Sequence, residues 1–170
     1  ECFGLCYNLK EIVLPETLRQ IRAGAFAGCK ALEEINIPSH LKIIDKSAFR
    51  NSGLKSLNIV ISDDCECCIY DKAFASCKHL ESVYLNKNVK IVERMAFADC
   101  TSLKTIEFEQ PSLTCCAGEI NATMLIGCTS LEKIIVPKNK YNHYLDFNIQ
   151  GYESAQFETR DFNSLITPKE

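Results

Sequence analysis

Eleven cysteines and three histidines are the side chains of this 170-residue chain best suited to chemistry. A thiol becomes a nucleophile when a base lies within hydrogen-bond reach and a cleft admits substrate. It becomes a zinc ligand when other Cys or His side chains complete a tetrahedron. Cys2, Cys6, Cys29, Cys77, Cys100 and Cys128 recur on a repeating frame, which suits small buried packing residues. The remaining five fall in two clusters, Cys65, Cys67 and Cys68, and Cys115-Cys116. Those two clusters could hold zinc or share a disulfide, but the repeat sets them two units apart, roughly 10 Å along a strand ladder. Exposed loop thiols without a dedicated role are the plainer expectation for them. His40, His79 and His143 occupy unrelated positions, the seven glycines make no phosphate-binding loop, and the acidic pairs Glu33-Glu34 and Asp63-Asp64 read as solvated turns or edges. The residues therefore predict no active site and no cofactor. Asn121-Ala122-Thr123 fits an N-glycosylation acceptor, which matters if the chain is secreted from a eukaryotic cell.

The elements that position these residues come from a repeat. Its fullest form is Ala25-Phe26…Cys29…Leu32…Ile35-Asn36-Ile37-Pro38. The cysteine slot falls at Cys6, Cys29, Ser52, Cys77, Cys100 and Cys128, at intervals of 23, 23, 25, 23 and 28 residues. The aromatic slot holds Phe3, Phe26, Phe49, Phe74, Phe97 and finally Leu125. An alternating apolar pair follows in each unit: Ile12/Leu14, Ile35/Ile37, Leu57/Ile59, Val83/Leu85, Ile106/Phe108 and Ile134/Val136. Alternation at two residues marks a strand with one buried face. A second apolar pair appears at Leu18/Ile21, Leu41/Ile44 and Val89/Val92, and Ala-Phe-x-x-Cys reads as a short helical turn.

A period of this size means stacked supersecondary units. No single unit can bury its apolar edge alone, so the stack as a whole supplies the core. The expected fold is a six-repeat α/β solenoid with a parallel strand ladder and columns of like side chains. A net charge of -3 gives no electrostatic reason to expect nucleic acid or an anionic membrane, and no apolar run reaches the roughly 18 residues that span a bilayer. Glu1 is not an initiator methionine, and Cys2-Phe3 already fill a repeat slot, which reads as a piece of a longer protein.

The words Leu14-Pro15…Leu18…Ile21…Ala25-Phe26…Cys29…Leu32 and Ile37-Pro38…Leu41…Ile44…Ala48-Phe49 resemble the BspA-like class of leucine-rich repeats. The resemblance covers about residues 2–137 and implies a right-handed leucine-rich superhelix in a cell-surface or secreted protein. It departs locally at Ser52, at Met124-Leu125 and in the extra residues of units three and five. Residues 1–137 are read as the repeats and 138–170 as a cap and tail, in which Tyr141, Tyr144 and Leu145 stand at helical spacing.

Any binding surface should lie where the frame is silent. The outward column of the ladder is Val13, Asn36, Asn58, Tyr84, Glu107 and Ile135. Asn36, Asn58, Tyr84 and Glu107 are the candidate contacts for a protein or glycan partner, with Tyr84 foremost as an outward aromatic. The alternatives are a structural spacer in a longer array, or a thiol- or metal-dependent protein using Cys65, Cys67, Cys68, Cys115 and Cys116.

Overall fold

The computed structural model describes residues 2–109, 122–138 and 155–160. The chain winds as a solenoid with two parallel strand ladders. One contains β1 (Gln20–Ile21), β2 (Ile43–Ile44), β4 (Cys67–Ile69) and β6 (Val89–Val92), in that order. The other contains β3 (Ser56–Ile59), β5 (Ser82–Leu85), β7 (Thr105–Phe108), β8 (Lys133–Pro137) and β9 (Gln156–Arg160). Every pairing is parallel. The larger ladder is built from the alternating pairs, and Leu57, Val83, Ile106 and Ile134 stand in one register. The smaller one uses the second apolar pairs, so Ile21, Ile44, Ile69 and Val92 also stand in line.

The Ala-Phe-x-x-Cys segments are tight turns closed by bonds of the Cys29 N–H to Phe26 O type, not α-helix. A 3-10 turn lies at Ala122–Leu125. The turns have a ladder of their own, in which Phe3, Phe26, Phe49, Phe74 and Phe97 each donate N–H to the next unit at 2.7–2.9 Å. That ladder holds the rings face to face, with centroids 5.1–5.4 Å apart and planes within 9° of parallel. Turn geometry puts the residue before each cysteine slot in the left-handed region. Leu5, Asn51, Ser76 and Asp99 occupy it where Gly28 and Gly127 do elsewhere. Units two to five hold a second such residue, at Gly24, Ser47, Lys72 and Met95.

Charge follows the same register. The residue two before each buried strand pair is Lys10, Glu33, Lys55, Glu81, Lys104 and Glu132, alternating in sign along the stack. Lys55 pairs with Glu33 at 2.5 Å and Lys104 with Glu81 at 3.0 Å. Each such exposed pair is worth at most about 1 kcal/mol.

Four findings correct the sequence reading. Cys2 and Cys6 are exposed, because the first unit has no described neighbour beyond it to bury them. Cys65 and Cys67 are buried in the core instead of exposed in a loop; Cys67 lies opposite Val89, filling an apolar slot of the smaller ladder across a bulge. Ile135 lies in the outward column yet is only 6% exposed. The larger ladder begins at β3 and not in unit one, since the segments 12–14 and 35–37 are not paired as strands. Beyond these, β9 extends that ladder past β8. Tyr141, Tyr144, Leu145, Cys115, Cys116 and Asn121 lie outside the described residues.

Candidate interaction surface

The column thiols do more than fill volume. Cys29, Cys77, Cys100 and Cys128 each donate Sγ–H to the carbonyl oxygen of the preceding unit's aromatic residue, Phe3, Phe49, Phe74 and Phe97, at 3.1–3.3 Å. Ser52 sits buried in the same slot with its hydroxyl 3.2 Å from the Cys77 sulfur. A small side chain with a donor satisfies the turn carbonyl that the stack removes from water. Burial pushes the Cys77 thiol up to about 11 and the Cys67 thiol up to about 12, and it raises Cys29 too. A thiolate is the reactive form, and burial disfavours it at these three positions. The Cys65–Cys68 interval is that of a zinc-binding pair, but Cys65 and Cys67 are turned into the core. The described residues contain no group of three or more His, Cys, Asp or Glu side chains placed to hold a metal ion.

Selective alkylation checks this arrangement. Iodoacetamide at pH 8 should modify Cys2 and Cys6 within minutes and leave Cys67, Cys77 and Cys100 intact until denaturant is added. Peptide mass mapping reads the result. Alkylation of Cys67 at the rate of Cys2 would show that its inward placement is wrong.

The insertion after β3 is pinned by two asparagines that the sequence reading passed over. Asn86 and Asn88 both donate side-chain N–H to Ile61 O, at 2.7 and 3.0 Å, and Asn88 also reaches Asp63 Oδ1 at 2.9 Å. Both are buried. Asn86 replaces the proline that follows the strand in Leu14-Pro15 and Ile37-Pro38, and that exchange of a non-donor for an amide is the signal in the sequence. Ser39, His40 and Asp64 form a chain, with Ser39 Oγ 3.0 Å from His40 Nδ1 and His40 Nε2 3.4 Å from Asp64. It lies on exposed surface and ties the insertion to unit two. His79 is exposed beside Leu80.

The four candidate contacts have different fates. Asn58, Tyr84 and Glu107 are successive partners in one register, continuing to Ile135 and Glu158. Asn58 is exposed and Tyr84 half-buried. The Tyr84 hydroxyl donates to Glu109 Oε2 at 3.0 Å, and the same oxygen accepts the Lys87 N–H at 3.1 Å. Desolvation, with the Glu109 hydrogen bond and the Glu107 charge adding to it, pushes the phenol up to about 12. Tyr84 is therefore a neutral donor at physiological pH. Glu107 is half-buried and pairs with Arg160 of β9. Desolvation raises its carboxyl despite the Arg160 charge, which pulls it down. Asn36 is occupied structurally: its amide accepts the Leu14 N–H and donates to Leu14 O, both at 2.8 Å. Beside these, Val60 adds an exposed apolar side chain one strand step beyond Asn58.

Comparison with known proteins supports the architecture. A family model described as a BspA type leucine rich repeat region, in six copies, matches residues 1–114 and 67–158. Among solved structures, the pneumococcal vaccine antigen PcpA is similar at 21% identity with a TM-score of 0.70, covering 94% of this chain and 38% of its own. The chain thus spans little more than a third of that protein, and the likeness is one of fold. A leucine-rich repeat protein from Bacteroides ovatus matches over 93% of this chain and 56% of its own, at 21% identity with a TM-score of 0.42. A leucine rich cell surface protein from Faecalibacterium prausnitzii covers 96% of this chain and 63% of its own, at 17% identity with a TM-score of 0.35. No curated protein matches the chain.

Proposed function

Because the chain belongs to the BspA-type leucine-rich repeat family, we propose that it is a non-enzymatic interaction module of a cell-surface or secreted protein, adhesive in role. It meets a protein or glycan partner on the outward face of the larger ladder. The observation that carries this reading is the surface around Tyr84. An aromatic ring with a held hydroxyl stands between exposed Asn58 and Val60 on one side and the Glu107–Arg160 pair on the other. A rigid aromatic flanked by polar groups is the composition of binding hot spots, and the parallel ladder fixes the spacing of those groups at about 4.8 Å per unit. The surface or secreted placement rests on what the family resemblance implies.

The test is a screen of the chain over a glycan array and an array of extracellular proteins, repeated with Tyr84→Ala and Asn58→Ala. The expected result is at least one saturable partner whose binding falls 10-fold or more with Tyr84→Ala, in line with about 1.4 kcal/mol per decade. Partners bound equally well by both variants would remove this face from consideration.

A second reading, a spacer within a longer array, is favoured by a specific observation. Asn36 is tied to Leu14, Glu107 to Arg160 and Lys133 to Glu158, so much of the outward polarity is already used inside the chain. Failure of both arrays to yield any partner would favour the spacer.

A further inference from the structure

We propose that the seam between the first two units is a docking slot for a short, extended, basic peptide segment, held by main-chain hydrogen bonds. Elsewhere in the stack, the residue two before each buried strand pair donates its N–H to its counterpart one unit back. Lys55 donates to Glu33 at 3.0 Å, Glu81 to Lys55 at 2.8 Å, Lys104 to Glu81 at 2.9 Å and Glu132 to Lys104 at 2.9 Å. The equivalent bond from Glu33 to Lys10 is missing. Among the described residues, no backbone hydrogen bond crosses from 10–13 to 33–37.

The units rejoin at either end of this gap. On the turn side, the Leu5 N–H reaches Ala27 O at 2.7 Å. At the other end the Asn36 amide takes both polar groups of Leu14, standing in for a peptide group that would otherwise pair there. Between these closures lies a cleft lined by Lys10, Glu11, Ile12 and Val13 on one side and by Glu34 and Ile35 on the other. Glu11 and Glu34 share one outward column at this seam, and like charges directly opposite each other weaken a strand pair.

Such a cleft presents two extended main chains with unpaired donors and acceptors, the requirement for capture of a further strand. Four residues of slot correspond to roughly 13 Å of extended chain. Side chains add selectivity. Glu11 and Glu34 have no charged partner among the described residues, and Val13, on the same face as Glu11, is 86% exposed. A bound strand with lysine or arginine beside the two carboxylates and an apolar residue two positions on would neutralise the first feature and cover the second.

The probe is a fluorescein-labelled peptide, acetyl-Thr-Lys-Thr-Val-Thr-Lys-amide, followed by anisotropy against the whole chain. Saturable binding is expected. It should weaken 10-fold or more when alternate peptide amides are N-methylated, and again with the Glu11→Lys/Glu34→Lys double variant. Hydrogen exchange should slow at 10–13 and 33–36 on binding. Absence of saturable binding at millimolar peptide, indifference to N-methylation, or protection elsewhere would overturn the proposal. Concentration-dependent protection of the same segments without peptide would assign the slot to a second copy and overturn it also. Tyr84→Ala should leave peptide binding unchanged, which separates this outcome from that of the Tyr84 surface.

Discussion

Phe74→Ala should cost about 4–5 kcal/mol of stability, the upper part of the range for truncating a buried aromatic. The ring is fully buried and stacks on Phe49 at 5.1 Å and on Phe97 at 5.4 Å, so truncation opens a cavity and breaks two stacked pairs at once. Phe74→Leu should cost about 1.5 kcal/mol or less, because unit six already carries Leu125 in the same slot. Phe3→Ala should fall below the central truncation, since among the described residues Phe3 stacks on Phe26 alone and is part-exposed. Urea titrations of the three variants give the ranking. In a stack of nearest-neighbour contacts the damage should also be local. Hydrogen exchange in Phe74→Ala should therefore speed up most in units three to five. Equal destabilisation by the central and terminal truncations would contradict the column as the main element of the core.

Gly53→Ala should cost about 3 kcal/mol, in the range of overpacking with backbone displacement. Unit three is one residue shorter than its neighbours between the Ser52 slot and Leu54, and the chain makes up the difference by passing directly over unit two. A Cβ on Gly53 would lie inside the contact radius of the Lys30 carbonyl oxygen and 2.8 Å from its carbon. Those atoms belong to main chain, and the Gly53 N–H is bonded to Cys29 O at 3.1 Å, so neither side can yield easily. Valine at this position should be worse than alanine. A Gly53→Ala protein that melts within 1 °C of the parent would show that the two turns are farther apart than described.

The repeat was legible because the same slots recur at nearly constant intervals. Register followed from it: Asn58, Tyr84 and Glu107 fall in one column as their alternation with buried residues requires. The second apolar pairs likewise marked the smaller ladder at Ile21, Ile44 and Val92. What was hidden lies where residues depart from the period. Cys65 and Cys67 enter the core through an insertion and a bulge, and a bulge resets the two-residue phase on which any inward or outward reading depends. Asn36 has the composition of a surface contact, and only its two bonds to Leu14 reveal it as a brace. Glu107 finds its partner, Arg160, 53 residues along the chain, beyond the reach of local pattern. The thiol-to-carbonyl bonds were hidden for another reason: volume alone accounts for cysteine in a buried slot, so nothing demanded a donor.

The alternating charges of Lys10, Glu33, Lys55, Glu81, Lys104 and Glu132 bear on how such an array can grow. Copying or deleting one unit would set two ammonium groups or two carboxylates side by side at the junction. Copying or deleting two adjacent units restores opposite neighbours throughout. The electrostatic unit of this solenoid is therefore a pair of turns, twice the structural one, and changes in its length are least costly when made two turns at a time.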